Sequence, residues 1–364
     1  MIPNIYVSDD GKIILGVFVD DVLALYSAKD LDIYKKVFTA YSEALDGGVK
    51  DLGEPTKFIG MEISRDRSKS TLTISQSSYV QKIGDKYLQG ANTKLWSSPV
   101  GSTEAEIKRF NSMKPASSDE ENIRLQGVDY LGLIGSILYA TNLTRPDGAF
   151  YANHCAKFMQ KPKREHHEAA LAVLAYLVKT HDLGITYGGV LKRPDITYNP
   201  ISPFIDEDDF NRSDGLHTFS DASWSSPNPM GGHVVMYANG AISWTARAIK
   251  VTCDSSAEAE IASGSTAMKD TRFVRFICEE INRPCVGPTP HFIDNSAAYH
   301  LVRNVGVSAR TKHFERWMHY LRDMYARHVA SIHLVPDTCM VADIFTKPLY
   351  RAKFSWCRDY LLNR

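Results

Sequence analysis

Four acidic residues in the C-terminal part of the chain have the chemistry of a divalent-metal site. They are Asp221, Glu260, Asp294 and Asp343. Carboxylates that lie close together repel one another and resist ionising unless a cation lies among them. Mg²⁺ prefers carboxylate and water oxygens, and two such ions about 3.5–4 Å apart are a common means of cleaving a phosphodiester by in-line displacement. These residue types therefore indicate metal-dependent phosphodiester hydrolysis, provided that the fold brings them together.

The elements that carry three of these acids are predicted from the surrounding residues. Asp221 lies at the end of an apolar strand in HTFSDASW, and Asp294 lies where a strand gives way to a helix in HFIDNSAAYHLV. Asp343, in DTCMVADIFTKPL, is expected to open a last helix that is capped at Asp337 or Thr338. Strands and helices therefore alternate between the acids along the chain.

The fourth acid lies on a long helix predicted in SSAEAEIASGSTAMKDTRFVRFICEEI. Ile281, Val274 and Ala267 recur every seven residues and place Glu260 on the same line, which is expected to face the core. Glu258 falls on a polar line of this helix instead. Glu260 is therefore the acid predicted to point toward the strands.

The stretch from Ser220 to Leu349 resembles the ribonuclease H domain of copia-type LTR retrotransposon polyproteins. The matching motifs are SDASW, AISW, SSAEAE, IDNSAA, RTKHFE and VADIFTKPL. The resemblance implies a ribonuclease H fold, two bound Mg²⁺ ions with Mn²⁺ as an alternative, and cleavage of the RNA strand of an RNA/DNA hybrid. It assigns catalysis and metal binding to the same four residues, Asp221, Glu260, Asp294 and Asp343.

The resemblance also implies individual roles for these carboxylates. Asp221 would bridge both ions, Glu260 and Asp294 would hold the ion nearer the leaving oxygen, and Asp343 would complete the site that activates water. Selectivity for RNA would come from contacts to 2′-hydroxyl groups in the shallow minor groove. The sequence departs from the family at Ser223, where a second acid is common, and at PNPMGG, but no departure removes a metal ligand.

A second resemblance concerns the N-terminal part of the chain. Phe18-Val19-Asp20-Asp21 is similar to the aromatic-x-Asp-Asp motif of reverse transcriptases, and VKDLGEPTKFIGMEI and LTISQSSYVQKI are similar to the copia-type palm that follows it. A polymerase palm needs a further aspartate on a preceding strand, and too little chain precedes Phe18 to supply it. We therefore interpret Asp20 and Asp21 as a remnant of the polymerase motif and expect no polymerisation by this chain alone.

These patterns predict an α/β (α+β) fold with a truncated palm, a helical connection and a C-terminal mixed sheet with flanking helices. The 364 residues are long enough for two or three domains. The predicted segments are a partial palm at 1–91, a linker at 92–121, a helical connection at 122–187, a polar loop at 188–215, the ribonuclease H-like domain at 216–350 and a C-terminal tail at 351–364.

The composition gives no general sign of nucleic-acid binding, because 42 Lys plus Arg balance 42 Asp plus Glu. Phosphate contacts would have to come from local basic clusters. The favoured cluster is Arg310, Lys312, His313 and Arg316 in ARTKHFER, and a second, KFMQKPKREHH, is equally well explained as an exposed helix end. His313 and His333 are candidates for transferring protons during hydrolysis.

Six scattered cysteines without a CxxC pair fit a reducing compartment and argue against a zinc site.

Three functional alternatives remain open at this stage. The chain could be an active ribonuclease H, a catalytically inactive retroelement remnant that only binds nucleic acid, or a nuclease of the same fold with another substrate. The expected partners are an RNA/DNA hybrid and either the missing polymerase portion or a second copy of the polyprotein. No membrane partner is expected, since no run of about 18 apolar residues is present. The resemblance implies a cytoplasmic location in a virus-like particle, with the nucleus as a further location.

Overall fold

The computed structural model describes residues 4–45, 48–90, 98–101, 103–190, 215–224, 229–303 and 315–364. These residues form a mixed α/β fold with three β-sheets, so the predicted fold class is confirmed. None of the helices in these ranges has the length and apolar character needed to span a membrane.

The strands are short in the N-terminal half and longer in the C-terminal half. They are β1 (Ile5–Val7), β2 (Ile13–Phe18), β3 (Asp21–Tyr26), β4 (Lys57–Phe58), β5 (Met61–Asp66), β6 (Thr71–Ser75), β7 (Ile185–Gly188), β8 (His217–Ser223), β9 (Met230–Tyr237), β10 (Gly240–Ala248), β11 (Thr289–Ile293) and β12 (Ala330–Leu334). The α-helices are α1 (Leu31–Ala44), α2 (Ser77–Tyr87), α3 (Glu104–Asn111), α4 (Tyr130–Leu143), α5 (Ala149–Ala156), α6 (Arg164–Lys179), α7 (Ser256–Glu280), α8 (Ser296–Arg303), α9 (Glu315–Ala326) and α10 (Arg351–Leu362).

The first sheet is an antiparallel meander of β1, β2 and β3. Phe18 pairs with Asp21 across the turn, so Asp20 lies in the turn and Asp21 begins β3. Val19 adopts a positive φ of 53°, which lets the chain reverse within two residues. Both aspartates are exposed at the tip of this hairpin.

Helix α1 does not bury the apolar face that its sequence predicts. Leu31, Tyr34 and Phe38 are spaced for one buried side. None of the helix residues is buried, although Tyr34 stacks on Tyr26 of β3 with ring centroids 4.2 Å apart. The apolar face of α1 therefore contacts the first sheet but is not enclosed by the rest of the described chain.

The second sheet has the strand order β4-β5-β6-β7 and is antiparallel throughout. Its last strand comes from the end of the predicted helical connection, whereas the others come from the predicted palm. The Thr73 and Thr186 hydroxyl groups form a hydrogen bond of 2.8 Å between β6 and β7. The segments predicted as palm and connection therefore share one sheet.

Helices α4, α5 and α6 form the apolar layer predicted for the connection. Leu174 and Leu177 of α6 are fully buried, as their spacing predicts. In α4, the helical spacing of Leu131, Ile134 and Tyr139 predicts one apolar stripe, but Ile134 is buried whereas Leu131 and Tyr139 are exposed. Because α4 is apolar on nearly every side, its periodicity does not single out the face that is buried.

Two segments that we predicted to be irregular contain helices. Within the predicted linker at 92–121, Thr103 caps α3 and exchanges hydrogen bonds with Glu106 in a capping box. The predicted tail at 351–364 forms α10, whose apolar side chains complete the core, namely Phe354, Cys357, Leu361 and Leu362. Most of the polar loop predicted at 188–215, including its four consecutive acids, lies outside the described residues.

The third sheet has the order β10-β9-β8-β11-β12. Its first three strands are antiparallel, and β8, β11 and β12 run parallel to one another. The sequence predicts a three-stranded meander followed by helix, strand, helix and strand, and the structure differs in having two helices, α8 and α9, before the last strand. Helix α7 packs against β8 and β9. Asn239-Gly240 is a sequence signal that predicts a hairpin turn between β9 and β10. The structure has the turn one residue earlier, with positive φ at Ala238 and Asn239, and Gly240 already pairs with Tyr237.

Candidate metal centre

Three of the four predicted carboxylates meet at one edge of the third sheet. One oxygen each from Asp221, Glu260 and Asp294 lies within 4.8 Å of the others. Since Thr218 pairs with His291 between parallel strands, Asp221 in β8 and Asp294 just after β11 lie level at the same edge. Helix α7 crosses this edge and supplies Glu260 from its second turn. The three residues have the positions and the oxygen ligands that a divalent cation requires.

The Glu260 carboxylate has an unusual environment within this group. Its Oε1 accepts a hydrogen bond from the Ala222 backbone N–H at 3.0 Å. Its Oε2 is buried and accepts no hydrogen bond from any described residue. Burial, followed by the charges of Asp221 and Asp294, raises the pKa of Glu260 well above its ordinary value. A buried carboxylate oxygen without a donor is what a bound cation would satisfy.

Asp343 lies beside this group, but not in the element that was predicted. It is part of a 3₁₀ turn at Val341–Phe345, and the last helix begins only at Arg351. Pro348 explains the difference, since a proline disfavours helical conformation at the residue before it and cannot continue the turn. The Asp343 side chain is nevertheless fully buried beside the other acids.

A second acidic group contains Asp343 together with Asp294 and Asp337, again with oxygens within 4.8 Å of one another. Asp337, which the sequence suggested as a helix cap, lies in a separate 3₁₀ turn at Asp337–Cys339. The carboxylate common to both groups is Asp294, whereas the family resemblance gives the bridging role to Asp221. The arrangement is thus a pair of adjoining acidic groups rather than one group of four.

The proximity of these acids changes their proton affinities. Burial, and then the charge of Asp343, raises the pKa of Asp294 to about 6. Burial, and then the charge of Asp221, raises the pKa of Asp343 to about 6. Both shifts have the direction expected for buried carboxylates that face one another.

Residues that carry no acidic group hold the centre together. The Thr346 hydroxyl donates a hydrogen bond to the Asp221 carboxylate. The Ser263 hydroxyl is 2.9 Å from the Asp221 carbonyl oxygen and 3.2 Å from that of Gly232. The Ser223 hydroxyl donates to the Thr346 carbonyl oxygen at 3.1 Å. Strand β8, strand β9, helix α7 and the Asp343 turn are therefore joined by hydrogen bonds at this point.

Two lysines complete the surroundings of Asp343. Lys347 follows it by four residues, and Lys353 comes from the first turn of α10. Burial opposes the charge of Lys347, but the charge of Asp221 and a hydrogen bond to Asp343 outweigh it, so the Lys347 pKa is raised. Sequence reasoning missed Asp337, Thr346 and both lysines as parts of the centre.

Glu258, which we predicted to lie on a polar line of α7, is instead buried. Its carboxylate accepts a hydrogen bond from the Asp254 backbone N–H at 2.8 Å, and its own backbone N–H donates to the Ser255 side chain at 3.2 Å. These bonds cap the start of the helix. Glu258 belongs to neither acidic group, so the choice of Glu260 over Glu258 agrees with the geometry.

The remaining predicted site residues lie elsewhere or outside the described ranges. Arg310, Lys312 and His313 are outside the described residues, and Arg316 is exposed in the first turn of α9. His333 is buried, and its Nε2 lies 2.8 Å from the Ser331 hydroxyl oxygen.

Asp20 and Asp21 are members of neither acidic group found within the described part of the chain. In the second basic cluster, the buried His166 stacks on Phe158 with ring centroids 3.9 Å apart. The His166 side chain is fully buried and is therefore part of the core, and this burial lowers its pKa to about 4.

Comparison with known proteins finds relatives over most of the chain, although no family model matches it. The chain is 27% identical over 356 residues to the retrovirus-related Pol polyprotein from transposon TNT 1-94 of Nicotiana tabacum, covering 97% of this chain and 24% of that polyprotein. It is 26% identical to the corresponding polyprotein from transposon RE1 of Arabidopsis thaliana, covering 96% and 22%. The putative transposon Ty5-1 protein of Saccharomyces cerevisiae is 26% identical over 271 residues, covering 72% and 75%.

The chain therefore spans about a quarter of the length of the first two relatives. The predicted similarity to retrotransposon polyproteins is confirmed at this level. Among solved structures, ribonuclease H1 from the archaeon Halobacterium salinarum is 14% identical with a TM-score of 0.29, covering 36% of this chain and 93% of the archaeal chain. At that TM-score, the likeness supports no conclusion about fold or function.

Proposed function

We propose that the C-terminal part of this chain, residues 216–350, is a metal-dependent ribonuclease H that cleaves the RNA strand of RNA/DNA hybrids. The observation that carries the proposal is the convergence of Asp221, Glu260 and Asp294, together with the unsatisfied Oε2 of Glu260. A set of carboxylates that includes a buried oxygen without a hydrogen-bond donor fits a divalent cation. The contacts among the described residues give these carboxylates no purely structural role.

In this proposal the chain positions the carboxylates before any substrate arrives. Asp221, Glu260 and Asp294 would hold one Mg²⁺ or Mn²⁺ ion, and Asp343 with Asp294 would face a second position. When bound, such ions supply charge stabilisation at the scissile phosphate and lower the pKa of water. Thr346 and Ala222 fix the orientations of Asp221 and Glu260 through the hydrogen bonds described above. Prearranged oxygens reduce the rearrangement needed for catalysis.

The choice of substrate rests on the family resemblance and on the similarity to transposon Pol polyproteins. An acidic centre repels phosphates, so substrate affinity has to come from basic residues around it. Arg316 is exposed near the start of α9 and can serve in this way, in the cluster proposed with Arg310, Lys312 and His313. Cytoplasmic particles are the setting in which we expect the activity.

The test uses the full chain, a hybrid with labelled RNA and Mg²⁺. Replacing Glu260 with Gln should reduce hydrolysis about a hundredfold or more, because the ion loses a charged ligand. Glu258→Gln is the matched control, since Glu258 lies on the same helix and is also buried, but its hydrogen bonds to described residues are at the helix start. This control should retain activity within a few-fold.

Other outcomes of the same assay separate the alternatives. A wild-type chain that binds the hybrid without cleaving it would favour the inactive remnant. Preference for duplex DNA or single strands over the hybrid would keep the nuclease and change its substrate. Hydrolysis that survives both Glu260→Gln and Asp221→Asn would contradict the assigned site.

We also propose that this chain alone does not polymerise DNA. Asp20 and Asp21 are exposed at a hairpin tip, and no third acidic residue in the described ranges joins them in a metal-capable group. A primer-extension assay with the full chain should therefore show no product. Extension that is abolished by Asp20→Asn would contradict this expectation.

A further inference from the structure

Two lysine ammonium groups lie against the carboxylate of Asp343, one at each oxygen. Lys347 Nζ is 2.7 Å from Asp343 Oδ1, and Lys353 Nζ contacts Asp343 Oδ2. The Asp343 side chain is fully buried, and ion pairs are stronger in such an environment than in water. Each oxygen that a metal ion could use is thus within ion-pair distance of a protein cation, although only Lys353 also forms a hydrogen bond and Oδ1 accepts none among the described residues.

The same lysines contact Asp337, the exposed member of the second acidic group. Lys347 Nζ lies 3.8 Å from Asp337 Oδ1. Lys353 Nζ lies 3.3 Å from Asp337 Oδ2 and donates to the Asp337 carbonyl oxygen at 2.6 Å. By contrast, neither Glu260 nor Asp294 forms an ion pair with a lysine or arginine of the described chain. The direct lysine contacts therefore fall on Asp343 and Asp337, although the charge of Lys347 also acts on Asp221 and Asp294.

The packing of helix α10 fixes the position of Lys353. It is in the first turn of α10, and the next residue, Phe354, is fully buried against the rings of Tyr151 and Tyr176. The Lys353 side chain is 24% exposed, much less than a typical surface lysine. Lys347 is held by the Asp343 turn itself, since its backbone N–H donates to the Asp343 carbonyl oxygen at 3.1 Å.

We propose that Lys347 and Lys353 act as built-in cations at Asp343, so that the protein without nucleic acid binds one divalent ion and excludes a second. The single ion would lie at Asp221, Glu260 and Asp294. This inference rests on the proposed metal centre but not on hydrolysis. A second ion would have to compete at the buried Asp343 carboxylate with two ammonium groups, of which Lys353 is the less exposed, and like charges a few Å apart repel each other.

The test titrates the full chain with Mn²⁺ alone by isothermal titration calorimetry and counts bound Mn²⁺ by electron paramagnetic resonance. The wild type should bind one ion. Lys347→Met and Lys353→Met should each bind two, with the affinity for the second ion raised about tenfold or more. Two close Mn²⁺ ions also give a spin-coupled spectrum, which the wild type should lack.

Two variants control for charge and for location. Lys353→Arg keeps the positive charge and should still bind one ion. Lys86→Met removes a lysine that pairs with the exposed Asp129 at 3.5 Å, so it should also behave as the wild type. If Lys353→Arg or Lys86→Met binds two ions, the exclusion of the second ion is not due to the ammonium charges at Asp343, and the inference is overturned.

Asp343→Asn keeps the inference testable if the methionine variants do not fold. It retains both lysines and all three residues of the single-ion group, so it should bind one ion with an affinity within about threefold of the wild type. Three outcomes would overturn the role of the lysines and leave the nuclease proposal intact. They are loss of that ion in Asp343→Asn, two tight Mn²⁺ sites in the wild type, and a single site in methionine variants that fold. A wild type that binds no Mn²⁺ would overturn both.

Discussion

Gly232 of β9 lies directly against Phe345 of the Asp343 turn. A Cβ atom added at Gly232 would be 2.5 Å from Phe345 Cβ and 2.8 Å from Thr346 Cγ2. The turn that carries Asp343 can therefore reach the sheet only because this residue has no side chain. The residues before the Gly pair in PNPMGG depart from the family pattern, whereas the pair itself includes Gly232, which the candidate centre needs.

Gly232→Ala should accordingly destabilise the protein by about 1–3 kcal/mol, because the added methyl group pushes the Asp343 turn away from β9. Urea unfolding measures this loss, and Mn²⁺ affinity should fall in the same variant. Gly135→Ala is the control, since Gly135 lies in α4 with no atoms within 4 Å of an added Cβ. The control should be neutral or more stable by up to about 1 kcal/mol. Equal urea midpoints for the two variants would contradict the prediction.

The carboxylates on regular elements could be predicted from sequence. Asp221 and Asp294 end parallel strands, and Glu260 lies on a helix line whose apolar members mark the buried side. The same periodicity misplaced Glu258, because capping in the first turn of a helix buries side chains irrespective of the helix face.

Residues outside regular elements could not be predicted in this way. Asp337 and Asp343 lie in 3₁₀ turns, which have no apolar period long enough to detect. The family resemblance assigns Asp343 to the site, but the helix predicted for it is wrong. Lys353 reaches Asp343 only because α10 packs on the connection helices, a contact between parts of the chain that are distant in sequence. Lys347 was detectable in principle, since it follows Asp343 by four residues.

Helix α10 should be essential for stability, although its sequence suggested a tail. Phe354→Ala would leave a cavity beside Tyr151 and Tyr176 and should cost about 3–5 kcal/mol. Phe273→Ala is the same substitution at a position that is 58% exposed, so it should change stability by less than about 0.5 kcal/mol. Thermal and urea unfolding of both variants test this, and similar losses in the two would show that α10 is not part of the core.

The buried ion pair of Arg145 and Asp147 should be a second determinant of stability. Their two hydrogen bonds measure 3.0 and 2.8 Å, and both side chains are almost completely buried. Arg145→Met would leave the Asp147 charge without its partner and should cost about 3–5 kcal/mol. Arg164→Met breaks an exposed pair with Glu168 and should cost less than about 1 kcal/mol. A loss of similar size in both variants, measured by urea unfolding, would contradict this assignment.

The acidic centre predicts an unusual dependence of stability on pH when divalent ions are removed by a chelator. Asp294 has a pKa raised from 3.8 to about 6 by burial and by the charge of Asp343. Between these values the folded protein binds its proton more tightly than the unfolded chain does. The contribution of Asp294 to the free energy of unfolding is therefore complete below about pH 4 and falls as pH rises to about 6.

Comparison with Asp294→Asn isolates this contribution. The free energy of unfolding of the wild type minus that of the variant should decrease by about 1.4 kcal/mol per pH unit across the window. Asp337→Asn removes a smaller like-charged contribution to the Asp294 pKa, so it should keep the decrease but move its upper end to slightly lower pH. Millimolar Mg²⁺ should abolish the decrease, because an ion bound by the ionised carboxylates replaces the proton as the source of stability. A difference that stays flat or rises between pH 4 and 6 in chelator would show that Asp294 does not share a buried acidic site.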